Sequence, residues 1–257
     1  LAKVAGEVEK AVREVQGLGR LEIARLSEAS VLERQILAEK HLISPQHAKE
    51  GENRLAIIAA DESISVMVNE EDHLRIQTLL PGLQLTEAYE LADNIDDLFE
   101  TKLNYAFDER IGYITACPTN VGTGLRASIM VHLPALAIAG QAKTVLSTVS
   151  NLGIAVRGLY GEGTEASGNM FQLSNQVSLG RSEHELIDNL CAVTMQIIEQ
   201  ERATRKKLLY EMRMKLEDRV QRAYGILRHA RLITSQEALR LLSDVKLGVE
   251  MRLISEV

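Results

Sequence analysis

Hydrophobic and polar residues follow one another along this chain with two different periods. Segments with a period of two, typical of strands, are residues 21–26, 54–60, 63–69, 73–80, 112–117, 126–133, 154–160 and 170–177. Segments with apolar residues three or four positions apart, typical of helices, are residues 2–16, 27 or 30 to about 41, 85–103, 135–153 and 182–257. Strands therefore dominate residues 54–177, and helices dominate residues 182–257.

This order of elements predicts an α+β fold. We expect a largely antiparallel sheet flanked by helices, which pack on one side, followed by a helical C-terminal segment. Glycine-rich loops at residues 118–124 and 161–169 connect strands, and residues 47–53 form another polar loop. The boundary of the helical segment falls between residues 205 and 215, within a charge-rich run (201–219) that is typical of a solvated helix face.

Composition and charge narrow the class of protein. Of the 257 residues 46% are hydrophobic and 25% charged, which is typical of a globular protein and not of a disordered one. No apolar run approaches the ~18–20 residues of a membrane span, and no signal peptide opens the chain. The net charge of −7 argues against a dominant nucleic-acid surface. Two cysteines, Cys117 and Cys191, are too few for a disulfide framework, so we expect a cytoplasmic protein.

Candidate chemistry begins with the charged run NEEDHLR at residues 69–75. Strand alternation assigns Glu71, His73 and Arg75 to one face, and Glu70, Asp72 and Leu74 to the other. A carboxylate and an arginine on one face could contact opposite ends of a nucleotide and its acceptor. A charge run that is simply solvated next to a turn is the alternative.

The strand at residues 126–133 also has a polar and an apolar face. The polar face consists of Arg126, Ser128, Met130 and His132, and the apolar face of Ile129, Val131 and Leu133. On periodicity alone, the polar face fits the solvent side of an edge strand equally well.

Other polar groups give weaker signals. No Walker-type phosphate loop occurs, and the glycine pattern at residues 122–127 is followed by a strand where a dinucleotide fingerprint requires a helix. Cys117 lies at a loop mouth before Pro118, a position that also suits an inert buried thiol. The acidic residues expected on a solvated face of the helix at residues 85–103 are Asp93, Asp96 and Asp97. The histidines without metal-ligand spacing include His41, His47, His184 and His229.

Three segments together resemble the phosphagen (guanidino) kinases, which phosphorylate creatine or arginine from ATP. These segments are NEEDHLRIQ (69–77), CPTNVGTGLRASIMVHLP (117–134) and RGLYGEGTEASGNMFQLSNQ (157–176). EKHLISP (39–45) and EDRVQRAYGIL (217–227) are similar to the bacterial protein arginine kinase branch. The resemblance covers about residues 30–250. It implies a phosphagen-kinase-like catalytic domain over residues 1–208 and the start of a helical C-terminal domain over residues 209–257.

The resemblance implies that the γ-phosphoryl group of ATP is transferred to guanidinium nitrogens of protein arginines. A guanidinium has a pKa above about 12 and is a poor nucleophile, so paired carboxylates are needed to hold its planar fork and accept a proton. Glu71 and Glu162 match those carboxylates, with Glu71 favoured as the base. Cys117 matches the family's active-site cysteine, whose thiolate would add negative charge to the acceptor pocket.

The resemblance also implies an ATP site. Arginines and Mg²⁺ stabilise a metaphosphate-like transition state, and Arg75, Arg126 and Arg157 match the phosphate-binding arginines. The nucleotide would further contact His41, Ala127, Ser128, Ile129, Met130, Gly158, Leu159, Tyr160 and Gly161. Mg²⁺ would be held mainly by the nucleotide phosphates, without a metal site made of protein side chains.

Several departures from the family pattern bear on these roles. An S-x-R-x-R motif that supplies two more arginines to ATP does not occur after Leu1, so we expect a fragment that binds ATP weakly. Met130 and His132 replace the His and Lys of animal enzymes, and Gln172 replaces an Asp near the nucleotide. The R-D-x-x-R-A motif, which reads phosphoarginine in the bacterial branch, does not occur before Val257.

The family also implies partners. These are protein substrates with exposed arginines, a zinc-binding adaptor-activator, a Clp ATPase and a stress-response repressor, with no direct nucleic-acid or membrane partner. The apolar stripes of the C-terminal helices are compatible with a homodimer. Two other functions stay open: a small-molecule phosphagen kinase, acting on free arginine or another guanidino compound, and a non-catalytic binding module.

Overall fold

The computed structural model describes residues 1–14, 21–49, 51–158 and 167–254. They form two compact units, Leu1–Leu125 with Ser178–Glu183, and Arg126–Val177 with His184–Val257. The helices are α1 (Ala2–Glu14), α2 (Val31–Glu39), α3 (Pro45–Lys49), α4 (Leu85–Glu100), α5 (Pro134–Ile138), α6 (Ala142–Ser150), α7 (Glu183–His229) and α8 (Ser235–Glu250). The strands are β1 (Leu21–Arg25), β2 (Leu55–Ala59), β3 (Ile64–Val68), β4 (Leu74–Thr78), β5 (Phe107–Asp108), β6 (Gly112–Tyr113), β7 (Ser128–His132), β8 (Ile154–Gly158) and β9 (Met170–Asn175). The predicted α+β class is confirmed, with the antiparallel pairing divided among three sheets.

The sheet of the first unit has four antiparallel strands in the order β1-β2-β3-β4. One face packs against α1 and α4 around Val8, Val66 and Phe99. The opposite face, which includes Ala56 and Met67, packs against α2 and α3. Because both faces are covered, every residue of β3 is buried. The expectation that helices pack on one side is therefore wrong for this sheet.

Helix α2 begins at Val31 and is capped by Ser30, one of the two predicted starts of this helix. The Ser30 hydroxyl accepts the Glu33 N–H at 3.2 Å, and the Glu33 carboxylate accepts the Ser30 N–H at 2.7 Å, which makes a capping box. The polar loop predicted at residues 47–53 is wrong at its start, because His47 lies in α3 and is fully buried. Burial lowers the pKa of His47, and its Nε2 lies 3.0 Å from the carbonyl oxygen of Leu55.

The strand predicted at residues 112–117 is shorter than expected, because only Gly112 and Tyr113 pair with β5. Tyr113 then exchanges two backbone hydrogen bonds with Gly122, of 2.8 and 3.3 Å. A Cβ at Gly112 would lie 2.3 Å from the carbonyl oxygen of Gly122, so this close approach requires glycine. The chain therefore leaves the sheet after Tyr113 and forms a loop over residues 114–121. This segment carries Cys117 and is called the Cys117 loop below.

Helix α4 supports the hairpin of β5 and β6 through a half-buried carboxylate. The Tyr113 hydroxyl donates to Asp96 Oδ2 at 3.0 Å. Burial raises the pKa of Asp96 and also that of Tyr105, which packs edge-on against Tyr113. The expected solvated face therefore holds for Asp93 and Asp97, which are exposed, but is wrong for Asp96.

The sheet of the second unit has the order β7-β9-β8. Ile129, Val131 and Leu133 are buried, which confirms the predicted apolar face of this segment. The single helix predicted at residues 135–153 is instead two helices, α5 and α6. The chain turns between them at Gly140, whose φ of 70° is a left-handed conformation that ends α5.

The C-terminal region is helical as predicted, with two interruptions. Met212 has φ −143° and ψ 39°, so α7 is two helical segments joined at a kink. The chain then leaves the helix before Thr234, whose hydroxyl accepts the Glu237 N–H at 3.2 Å and caps α8. The domain division at residues 208 and 209 stays a prediction, and the kink at Met212 lies close to it.

The charge-rich run in α7 is mostly exposed, but Glu201 is buried. Its carboxylate accepts the backbone N–H groups of Ala135 and Leu136 at 3.0 and 2.9 Å, and Nε of Arg205 at 2.7 Å. Glu201 therefore caps α5, because the N-cap residue Leu133 offers no side-chain hydrogen bond. None of the helices in the described chain combines the length and hydropathy of a membrane span.

Candidate active site

The acidic segment after β3, residues 70–72, contains two adjacent glutamates that differ in exposure. Glu71 is exposed, whereas the side chain of Glu70 is only 9% exposed and accepts hydrogen bonds from Ser44 Oγ at 2.6 Å and from the Glu71 N–H at 2.8 Å. Nη1 of Arg75 lies 3.7 Å from Glu70 Oε2. Burial alone would raise the pKa of Glu70, but the two hydrogen bonds and Arg75 together lower it. Glu70 is therefore an ionised group that holds both Glu71 and Arg75.

This ion pair corrects the face assignment made by alternation. β4 begins only at Leu74, so residues 69–73 are not a strand and do not alternate. Arg75 consequently pairs with Glu70, which had been assigned to the opposite face.

The Cys117 loop is tied to the acidic segment within the same unit. Asp72 Oδ1 accepts the backbone N–H of Ala116 at 2.6 Å, across 44 residues of sequence. Cys117 is half-buried, and its Sγ lies 3.0 Å from Oγ1 of Thr119. The structure thus brings the segments of two predicted acceptor residues, Glu71 and Cys117, together through the residues next to them.

His41 also belongs to the first unit. It is exposed, has a φ of 60°, and follows the C-cap of α2. Its carbonyl oxygen accepts a 2.6 Å hydrogen bond from Nε2 of Gln77, which lies two residues after Arg75 on β4. The structure therefore connects His41 to the strand that carries Arg75.

In the second unit, one face of the sheet carries several predicted nucleotide residues. Met130 lies opposite Gln172, and Gln172 lies opposite Arg157, so these three side chains form one row on a common face. Ser128 and Ser174 form a neighbouring pair on the same face. The opposite face, which includes the predicted Ile129, is apolar and buried. Ile129 can therefore contact a nucleotide only through its backbone.

The two residues before β7 differ in exposure and in backbone hydrogen bonding. Arg126 is exposed, while the Ala127 N–H donates to Asn175 Oδ1 at 2.8 Å, and the Ala127 carbonyl accepts from the Asn175 N–H at 3.3 Å. The backbone of Ala127 thus pairs with β9, and the side chain of Arg126 next to it is exposed.

His132, at the end of the same face, has a partner in the C-terminal helix. Its Nε2 lies 2.8 Å from Oγ of Ser243 in α8, and Asn169 Nδ2 donates to the same oxygen at 2.8 Å. Burial lowers the pKa of His132. Contacts with α8 therefore occupy this end of the face.

The structure does not describe every predicted site residue. Gly158 ends β8 and is buried, with Arg157 beside it. The predicted residues that lie outside the described part of the chain are Leu159, Tyr160, Gly161 and Glu162.

Sequence reasoning missed the supporting groups of this site. Asp72 and Ser178 contact the Cys117 loop, and the Ser178 hydroxyl donates toward the carbonyls of Thr119 and Val121 at 3.2 and 3.1 Å. Neither contact has a local signal, because each partner lies more than 40 residues away in sequence. Glu70 could have been found, since NEED offers a second carboxylate beside Glu71.

Comparison with known proteins defines the class. The family model described as "ATP:guanido phosphotransferase, C-terminal catalytic domain" matches residues 3–204. The chain therefore belongs to the ATP:guanido phosphotransferase family, which confirms the predicted enzyme class. A second model, the "Protein-arginine kinase McsB C-terminal domain", matches residues 213–257. Together with the relatives below, it places the chain in the protein-arginine kinase branch, as the sequence predicted.

Curated relatives cover nearly the whole chain. The protein-arginine kinase of Moorella thermoacetica is 56% identical over 256 residues, which is 98% of this chain and 73% of the relative. The protein-arginine kinase of Symbiobacterium thermophilum is 56% identical over 252 residues, which is 97% of this chain and 71% of the relative.

Solved structures confirm the phosphagen kinase type of fold. Lombricine kinase matches with a TM-score of 0.64 and 23% identity, over 79% of this chain and 59% of that one. The duplicated taurocyamine kinase from Schistosoma mansoni, with bound transition state analog components, matches with a TM-score of 0.69 and 25% identity. That match covers 91% of this chain and 37% of the other.

Proposed function

We propose that this protein transfers the γ-phosphoryl group of ATP to guanidinium nitrogens of arginine side chains in proteins. The observation that carries the proposal is 56% identity to a protein-arginine kinase over 98% of the chain. The geometry of the acidic segment supports it, because Glu71 is exposed next to the buried, ionised Glu70.

In this proposal, Glu71 and Glu162 hold the acceptor guanidinium, and Glu71 accepts the proton that leaves the attacking nitrogen. The electron pair of that nitrogen forms the N–P bond as the bond from the γ-phosphorus to the bridging oxygen breaks, and ADP leaves. A carboxylate oriented this way lowers the barrier because it neutralises the guanidinium as it attacks. Cys117 adds negative charge beside the acceptor when its thiol is ionised.

ATP would be held by Arg75, Arg126 and Arg157, with the further contacts named from the resemblance. The row formed by Met130, Gln172 and Arg157 on one face of the second sheet supports these nucleotide contacts. Mg²⁺ supplies charge neutralisation of the phosphates when bound. In this proposal Mg²⁺ is held mainly by the phosphates of the nucleotide.

The resemblance to the family also implies a biological role for the phosphorylation. We propose a cytoplasmic enzyme whose phosphoarginine marks direct proteins to Clp-type degradation. It would act with a zinc-binding adaptor-activator and a stress-response repressor, and homodimers would form through the C-terminal helices. The match of residues 213–257 to the C-terminal domain of protein-arginine kinases supports the branch of the family on which this proposed role rests.

The test compares Glu71→Gln with the parent, using the full-length protein, ATP and Mg²⁺. Glu39→Gln, an exposed glutamate at the end of α2, is the matched control. Removing the base should slow formation of acid-labile phosphoarginine by about 10²–10⁴-fold, whereas Glu39→Gln should match the parent. Phosphorylation of free arginine but not of protein would instead support the small-molecule kinase. Transfer to neither acceptor would support the binding module.

A further inference from the structure

The Cys117 loop is held on several sides. At its base, Tyr113 and Gly122 exchange backbone hydrogen bonds. The Ser178 hydroxyl binds carbonyl groups in the second half of the loop, at Thr119 and Val121. A further tie is the hydrogen bond from the Ala116 N–H to Asp72, which comes from the acidic segment.

This contact lies between the two predicted acceptor residues. Asp72 directly follows Glu71, and Ala116 directly precedes Cys117. A 2.6 Å hydrogen bond therefore joins the side chain of the residue after Glu71 to the backbone of the residue before Cys117. The donor is a backbone N–H and the acceptor a half-buried carboxylate, which makes the bond charge-assisted and directional.

We propose that Asp72 is a positioning residue, which holds the Cys117 thiol at a fixed place relative to the Glu71 carboxylate. The catalytic role of Asp72 rests on the proposed function, whereas its contact with Ala116 does not. A planar guanidinium must meet both groups in the orientation that aims one nitrogen at phosphorus. Misplacement by about 1 Å can cost about 100-fold in rate. Asp72 would not itself touch the acceptor or ATP.

The direct test is the alkylation rate of Cys117 by iodoacetamide at one fixed pH, with no substrate present. Mass spectrometry of the Cys117 and Cys191 peptides separates the two thiols, so Cys191 is an internal reference. Asp72→Ala removes the acceptor, and Asp72→Asn keeps an oxygen that can accept the same N–H. Asp61→Ala is the control for lost charge, because Asp61 also accepts a backbone N–H, from Ser63 at 3.1 Å, in the turn between β2 and β3.

We expect Asp72→Ala to change the Cys117 rate several-fold, upward as the loop is released, while the Cys191 rate stays constant. Asp72→Asn and Asp61→Ala should match the parent. A parental Cys117 rate in Asp72→Ala would overturn the proposal, and so would an Asp72→Asn rate equal to that of Asp72→Ala.

Steady-state kinetics of the same variants distinguish a positioning role of Asp72 from a general role in stability. In Asp72→Ala, kcat for phosphoarginine formation should fall about 10–100-fold with little change in KM for ATP, and Asp72→Asn should restore most of it. A raised KM for ATP with parental kcat would contradict the proposal. If no variant phosphorylates arginine but the alkylation rates differ as expected, the proposed function fails and the positioning of Cys117 stands. If the parent is active and Asp72→Ala equals it in both assays, the positioning role fails and the function stands.

Discussion

At the scale of single residues, Glu70 and Glu71 divide two tasks between adjacent carboxylates. The side chain of Glu70 is turned inward. Hydrogen bonds from Ser44 and a backbone amide, together with the charge of Arg75, stabilise its carboxylate. Glu71 is exposed, as its proposed role toward an acceptor requires. The two hydrogen bonds should contribute more than the 3.7 Å contact with Arg75, because that guanidinium is 44% exposed and its charge is screened by water.

We predict that Glu70→Gln lowers the free energy of unfolding by about 1–2 kcal/mol at pH 7. The folded pKa of Glu70 is lowered from an ordinary value of 4.5, so its charge stabilises the fold above that pH. The advantage of the parent over Glu70→Gln should shrink as the pH falls below 4.5 and through the lower folded value. Urea unfolding at pH 7 and in mild acid measures this, with Glu39→Gln as the control. A difference between parent and variant that does not change with pH would contradict the argument.

The catalytic candidates at this scale could be predicted from sequence, but their supports could not. Glu71 and Cys117 lie in strings whose residue types match a known family, so local sequence identifies them. The hydrogen bond between Asp72 and Ala116 depends on how the chain returns after 44 residues, which no local pattern encodes.

At the scale of elements, strongly periodic segments were predicted well and short or broken ones were not. β2, β3 and β4 match their predicted runs, because short segments that contain β-branched residues and are bounded by turn residues are a strong signal for strands. The helix over residues 135–153 breaks because Gly140 turns left-handed, and α3 was missed because tertiary burial of His47 overrides a polar sequence. The capping of α5 by Glu201 is also tertiary, since the carboxylate comes from a distant helix.

We predict that Glu201→Ala lowers the free energy of unfolding by about 2–4 kcal/mol. The substitution leaves two buried backbone N–H groups of α5 without their acceptor, whereas the half-buried Arg205 guanidinium keeps Glu250 Oε2 at 2.6 Å. Glu199→Ala, which removes an exposed glutamate from the same helix, should change stability by about 0.5 kcal/mol or less. Thermal and urea unfolding of both variants check this. Equal stabilities for the two variants would show that Glu201 does not cap α5.

At the scale of the whole molecule, the chain contains two compact units that share an antiparallel architecture. The first holds Glu71, Cys117, Arg75 and His41, and the second holds Arg126, Arg157 and the polar sheet face. The fold class could be predicted because alternating segments precede a long helical region. The two compact units could not be predicted, because the division after Leu125 depends on contacts in the folded chain. No change in the composition of the sequence marks it.

If the proposed function is right, arginine side chains of proteins receive the γ-phosphoryl group on nitrogen. The identity of the phosphorylated atom tests this, by tandem mass spectrometry and ³¹P NMR of a substrate protein incubated with the full-length enzyme, ATP and Mg²⁺. We expect phosphorus bonded to an arginine guanidinium nitrogen, labile in acid, and absent when Glu71→Gln replaces the parent. Acid-stable phosphate on serine or threonine oxygen, or arginine phosphorylation that persists in Glu71→Gln, would contradict it.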